Sequence, residues 1–432
     1  MTTLKNKILK NIFLISTFLL LTHIFGWLQN TNNNPIDLDE IAWVNDAKIY
    51  DWRTNEKWQN FSWSKDNSRK PWNSADFRLF DQPHLTKYIY GNILSLKKIE
   101  PWNDSYYHQK NYQDFAQQKL SDKKYIDEIE SKKFFGEKTI AAIETSRKIS
   151  LTFGLSFFLL LFIFINSNSS TLSAIITTSL LMTNPIFQYN FKIATADSIS
   201  MFFILLTLII FYKLFFNKNK NNFIYLFISA ITTALATSSK INGWILVIIF
   251  LIFNTIKLIK EEKINIKYFW QKNILWILIF INTYIYLQPE LWNNSLIGIE
   301  HFFRQRITQQ IIFSTTTSLN FLNYHLWIIR LFIESHTKNI SLLKLSLFII
   351  SLVSLLIKLT TQKINLDWKK TSIITCIIIS WLFFFSYAKV GFSRYTMWPL
   401  VLLATFTSLE IEKTIKTLII KKIPHRFHIK VS

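Results

Sequence analysis

One cysteine, seven glycines and eight prolines serve a chain of 432 residues. The lone thiol, Cys376, excludes an intramolecular disulfide framework and is silent on redox chemistry. So few glycines and prolines leave little punctuation for an ordinary soluble enzyme. There is no glycine-rich phosphate loop, no His/Cys spacing of the zinc type and no Gly-x-Ser-x-Gly elbow. Nor is there an internal repeat, a heptad pattern or a Gly/Ser linker that would divide the chain into domains. Acidic residues are scarce too: 27 Asp and Glu against 49 Lys and Arg leave a net charge of +22.

Hydrophobic residues make up 50% of the chain and aromatics 16%. Apolar runs long enough to cross roughly 30 Å of hydrocarbon as helix recur along it, about ten by that length rule. They cover residues 8–28, 149–165, 172–189, 198–216, 223–237, 243–259, 274–287, 342–359, 373–388 and 395–409. The first follows the basic flank MTTLKNKILK, and no small-residue cleavage site follows Leu28, so it reads as a retained anchor. With the N terminus in the cytoplasm, Lys213, Lys218, Lys220, Lys257, Lys260, Lys263, Lys358, Lys363 and the basic tail all fall on the inner side. Both termini are then cytoplasmic. Two large segments, 29–146 and 289–339, face outward. The first holds 18 acidic and 17 basic residues, so it is nearly neutral and the excess positive charge lies in the rest of the chain. Topology explains that charge, and nucleic acid need not be invoked as a partner.

The acids of the first outer segment gather in NPIDLDEIAWVNDAKIYDWR, residues 34–53. Asp39, Trp43, Asp46 and Tyr50 fall at i, i+4, i+7 and i+11, which places them on one face of a helix starting near Pro35. Trp52, Trp58, Trp63 and Trp72 continue the aromatic character and suit a segment lying on the bilayer surface. Locally, DLDE reads as a capping box, with Asp37 accepting from the first free amides and Glu40 reaching back. Capping accounts for Asp37 and Glu40 better than for Asp39.

In the same stretch the chain resembles the GT-C membrane glycosyltransferases that take a sugar from a polyprenyl-phosphate carrier, such as protein O-mannosyltransferases and lipid A aminoarabinose transferases. The resemblance begins with the Asp39-Glu40 pair and IAWVNDAKIY. It continues in DQPHLTKYIYG (81–91), which is similar to the family's Pro-Pro-Leu-Gly-Lys segment with His84 and Thr86 as departures. Arg147, then NPIFQYNFKIATADS with Asp197, SSKING with Lys240 and Gly243, and SRYTMWP with Arg394 and Pro399 follow in the family's order. It implies an all-α, multi-pass GT-C-like bundle forming one membrane domain over 1–432, with interfacial helices in the large first outer loop.

Apart from any resemblance, Arg147, Lys192, Lys240, Lys389 and Arg394 sit at outer span ends, against the positive-inside trend. Each can snorkel to lipid headgroups, or together they can hold a fixed anion. A lipid-linked sugar phosphate is such an anion. Guanidinium holds phosphate oxygens in pairs, which makes Arg394 and Arg147 the better clamps, with Lys240, Lys87 and His84 behind them. His84 is equally a neutral interface residue. Asp197 is either an N-cap or a site residue. Arg304 either pairs with Glu300 on a solvated helix face or contacts acceptor.

The expectation is a glycosyl transfer from polyprenyl phosphate to a lipid, glycan or protein acceptor at the outer face of a bacterial inner membrane. Asp39 is the expected general base, Glu40 orients acceptor or caps the helix, and Arg394, Arg147 and Lys240 stabilise the leaving phosphate. No metal and no other cofactor is assigned. A transporter or flippase of lipid-linked saccharides is the alternative, disfavoured because the charges gather at span ends and no repeat is visible. A structural assembly subunit is a third reading.

Overall fold

The computed structural model describes residues 36–54, 83–100, 128–216, 222–260, 266–288, 291–292 and 300, and the helical residues 397–398, 400–402 and 404–405. The expected spans 8–28, 342–359 and 373–388 lie outside the described residues, as do Lys389, Arg394 and Arg304. Among the described residues every regular element is helical: α1 (Leu38–Asp46), α2 (Ile49–Thr54), α3 (Leu85–Leu96), α4 (Glu128–Asn168), α5 (Thr171–Met182), α6 (Pro185–Asn190), α7 (Asp197–Phe216), α8 (Asn222–Ser239), a 3-10 turn (Ile241–Trp244), α9 (Ile245–Lys260) and α10 (Ile266–Tyr286).

Two of these helices are long and apolar enough to span a bilayer: Gly136–Asn168, the part of α4 beyond a kink, and Asp197–Phe215 within α7. The kink falls at Gly136, whose φ of 75° lies in the left-handed region that glycine tolerates. A 33-residue helix is roughly 50 Å long, well beyond the roughly 30 Å of a hydrocarbon core. Its first turns, with Glu137, Lys138, Glu144 and Arg147, form its polar end. Shorter apolar helices occupy Thr171–Met182, Phe223–Ser239 and Asn242–Thr255.

The expected run 172–189 is not one helix. It breaks at Thr183, and Asn184 caps a new helix by accepting from the Ile186 amide at 2.9 Å, with Pro185 in the first turn. Likewise α1 starts at Leu38 and stops at Asp46, so Tyr50 belongs to α2 beyond a turn and leaves the face shared by Asp39, Trp43 and Asp46.

Rings fill the apolar core. Phe157, Phe158, Phe187 and Phe191 pack where α4 meets α6, and Phe250, Trp276 and Phe280 stack nearly parallel between α9 and α10, the closest pair 3.8 Å apart. The buried Trp276 donates Nε1–H to Ser229 Oγ at 2.9 Å, so its one polar atom is satisfied. Hydroxyls within the apolar helices bond back to their own turns: Thr177 to Ser173 O, Thr207 to Phe203 O, and Thr233 to Ser229 O. That self-satisfaction lets them sit where water is absent.

A second core lies at the polar end. Ile41, Trp43, Val44 and Ala47 pack with Tyr90 and Leu94 of α3, Ile140 and Ile143 of α4, and Ala194, Ala196 and Ile199. Gly91 makes this approach possible: a Cβ there would lie 2.4 Å from Ala47 O and 2.5 Å from Tyr50 Cβ. Gly91→Ala is therefore expected to cost about 1–3 kcal/mol. The check is a lower thermal midpoint together with faster amide exchange in 38–54; an unchanged midpoint would contradict this packing.

Candidate active site

The capping box forms as the sequence reading requires. Asp37 Oδ1 accepts from the Asp39 amide at 2.8 Å, and Glu40 Oε2 accepts from the Asp37 amide at 2.9 Å. Glu40 does much more than cap. It is fully buried, and it receives Arg147 Nε–H on Oε1 at 2.7 Å, Arg147 Nη2–H on Oε2 at 2.6 Å, and the Ala194 amide on Oε1 at 2.7 Å. The fork-to-fork geometry suits a guanidinium and a carboxylate and nothing else in the side-chain repertoire. α1 is thereby tied to α4 and to the 191–196 connection.

That connection holds a second pair. Thr195 Oγ1 donates to Asp197 Oδ2 at 3.0 Å, and Lys240 Nζ donates to Asp197 Oδ1 at 2.5 Å, with both charged residues buried. Asp197 thus opens α7 and binds a cation at the same time. Lys240 arrives because the 3-10 turn folds back on α8. A Cβ at Gly243 would meet Ala236 and Thr237 backbone atoms at 2.4–2.5 Å, which explains the glycine in SSKING.

The third pair is Lys87 with Asp46, Nζ to Oδ2 at 3.2 Å; the same ammonium lies 5.7 Å from the centre of the Trp43 ring. Lys87 is wholly buried, whereas Asp46 is partly open. Burial pushes the Asp46 carboxyl above its ordinary range, while the neighbouring charges of Lys87, Lys48 and His84 pull it back. His84 is buried just before α3, edge-on to Tyr88 with ring centres 5.9 Å apart.

Hydrogen bonds from hydroxyls link the elements that carry the three pairs. Tyr90 donates its hydroxyl to Thr195 O at 2.8 Å and lies 2.6 Å from Ser150 Oγ; burial holds its phenol far above the usual range, so it stays a neutral donor. Thr86 donates to Ser239 O at 3.1 Å, beside Lys240, and Tyr189 donates to Asp37 Oδ2 at 2.5 Å. Half-buried Lys192 sits in the same connection, its ammonium pushed below its ordinary value by desolvation.

Six sequence candidates in the described residues therefore meet at one end of the bundle: Glu40, Lys87, His84, Arg147, Asp197 and Lys240. Asp39 stands half-buried in the same helical turn as Glu40. The cations Arg147, Lys240 and Lys87 each face a carboxylate, so their charge is already shared. Tyr90, Tyr189 and Thr195 lie within the segments 81–91 and 184–198 but were not singled out as joining residues, and Asp46 was not paired with Lys87, because these roles arise from contacts between residues up to 152 positions apart.

Residues 124–297 match the model of a family described as dolichyl-phosphate-mannose-protein mannosyltransferase. The matched stretch contains Arg147, Asp197 and Lys240 and stops short of Asp39 and Glu40. No curated protein sequence matches the chain. Among solved structures, the crystal structure of the Archaeoglobus fulgidus oligosaccharyltransferase in complex with Zn and sulfate is similar at 12% identity and a TM-score of 0.50, covering 93% of this chain and 50% of that one. The chain thus spans half the length of that structural neighbour. Both likenesses are to glycosyltransferases, and the helical fold is shared with the solved structure.

Removing either member of the Glu40–Arg147 pair strands a buried charge or its partners. Glu40→Gln and Arg147→Met should each cost about 3–5 kcal/mol, and the double substitution less than their sum. Unfolding midpoints of the four proteins in lipid nanodiscs measure this; strict additivity would contradict the coupling.

Proposed function

We propose, from the premise of a GT-C-type helical core, that this chain transfers a glycosyl group from a polyprenyl-phosphate carrier to an acceptor hydroxyl or amine at the outer face of a bacterial inner membrane. The observation that carries the reading is the Glu40 anchor. It fixes the first turn of α1, the turn that carries Asp39, against α4 and the 191–196 connection.

In the proposed step the acceptor's oxygen or nitrogen attacks the anomeric carbon as the bond from that carbon to the phosphate oxygen breaks. The electron pair of the broken bond leaves with the phosphate, and the acceptor's proton passes to Asp39. A single displacement inverts the anomeric configuration. Glu40 is a positioning residue, because its carboxylate is fully occupied by Arg147, Ala194 and Asp37. The departing phosphate monoester gains negative charge, and preorganised cations act most strongly at that moment. Lys240 and Lys87 would serve by sharing their ammonium between a carboxylate and the phosphate. Arg147 acts through the charge left after its bond to Glu40. Arg394, the second guanidinium of the reading, lies outside the described residues, as does Arg304 on the acceptor side.

The oligosaccharyltransferase neighbour was crystallised with Zn. Among the described residues no group of three His, Cys, Asp or Glu side chains could hold a metal ion.

Purified protein in nanodiscs, given labelled polyprenyl-phosphate sugars and candidate acceptors, tests the reading. Asp39→Asn is expected to lower kcat by about 10²–10⁴ with an unchanged unfolding midpoint, while Asp37→Asn keeps most of the rate. Near-native transfer by Asp39→Asn would remove Asp39 as base, and uptake of the lipid-linked sugar without transfer would point to a transporter.

A further inference from the structure

Arg53, at the last turn of α2, is held by rings. Its guanidinium carbon lies 4.8 Å from the centre of Tyr88, 4.8 Å from that of Tyr286 and 6.0 Å from that of Trp292. These rings come from separate parts of the chain: Tyr88 from α3, Tyr286 from the last turn of α10, and Trp292 from just beyond it. Tyr286 and Trp292 are themselves stacked, 6.3 Å apart at 27°, and Trp292 Nε1–H donates to Ile285 O at 2.9 Å. One half-buried cation therefore joins the helices around the candidate site to the C-terminal end of α10.

Three features mark this cluster as more than a chance surface contact. A planar guanidinium can present a face to a ring on either side, which an ammonium cannot do equally well. Tyr88 directly follows Lys87, whose ammonium is paired with Asp46, so displacement of the cluster pulls on one of the three ion pairs. Tyr286 and Trp292 remain 62% and 37% exposed, so the cluster forms an open edge and is not part of the sealed core.

We propose that Arg53 is a positioning residue: its clamp on Tyr88, Tyr286 and Trp292 docks the C-terminal end of α10 and Trp292 against α2 and α3 and so builds the acceptor side of the site. The assignment to the acceptor side rests on the transferase reading above. It follows from the division of charges in that reading, which puts the buried cations Lys87, Lys240 and Arg147 with the anionic donor, whereas Arg53 faces rings at an exposed edge.

The test compares native protein with Arg53→Met, Arg53→Lys and Trp292→Leu, all full length in nanodiscs. Amide exchange is read over 284–292 and 49–54, and transfer kinetics are read with donor and acceptor varied separately. The expected result for Arg53→Met is about fivefold to tenfold faster exchange in both segments, with acceptor KM raised several-fold and donor KM and kcat within about twofold of native. Arg53→Lys should recover part of both effects, and Trp292→Leu should reproduce them without adding to Arg53→Met. Exchange in Arg53→Met equal to native would overturn the clamp. Faster exchange with acceptor KM unchanged, or a loss of kcat instead, would overturn the positioning role. Failure of the transferase reading looks different: native protein transfers nothing from any donor. In that case the acceptor role is overturned with it, even where exchange shows the clamp.

Discussion

A carboxylate buried completely at the edge of a membrane bundle survives only if its oxygens are fully used, and Glu40 meets that condition with four hydrogen bonds from three parts of the chain. Its partners dictate the rest of the polar end. The Arg147 fork fixes α1 on α4. The Ala194 amide fixes the connection into α7, and that connection in turn sets Thr195 against Tyr90 and Asp197 against Lys240. Asp39 gains its place indirectly, as the neighbour of an anchored residue in a capped first turn.

The molecule divides into two regimes of stabilisation. In the apolar bundle many hydroxyls bond back to their own helix and the helices meet through rings, which suits a chain rich in phenylalanine and poor in glycine. At the polar end, small apolar residues such as Ala47, Ala142, Ala194 and Ala196 bring backbones close, and ion pairs fill the gaps between them. Buried ion pairs seldom add net stability over apolar packing. Three such pairs gathered at one end of the bundle fit the proposed site for a charged substrate, since paired groups hold their positions before a substrate arrives.

Much of this was readable in advance for definite reasons. The apolar runs of α4, α7, α8 and α9 carry a signal of length and composition, and the Asp37–Glu40 box is encoded within four residues. A shared place for Lys87, Arg147 and Lys240 was anticipated as a phosphate site, with Asp197 left open as an N-cap or a site residue. Their ion pairing was not, because it joins residues 41 to 107 positions apart and nothing local encodes it. The helix face drawn through Tyr50 failed because periodicity runs on through the short turn at Ala47 and Lys48, where the backbone does not. The break at Asn184-Pro185 had a local signal, an N-cap residue followed by proline, that an apolar-length count ignores.

The most direct test of the account is a structure of the protein with a polyprenyl-phosphate sugar and an acceptor analogue bound in nanodiscs. The account predicts the Asp39 carboxylate within about 3.2 Å of the acceptor's nucleophilic atom, the phosphate in contact with Lys240 or Lys87, and Glu40 still bonded to Arg147. A substrate bound elsewhere, or an Asp39 side chain turned away from the acceptor with Glu40 reaching it instead, would contradict the account.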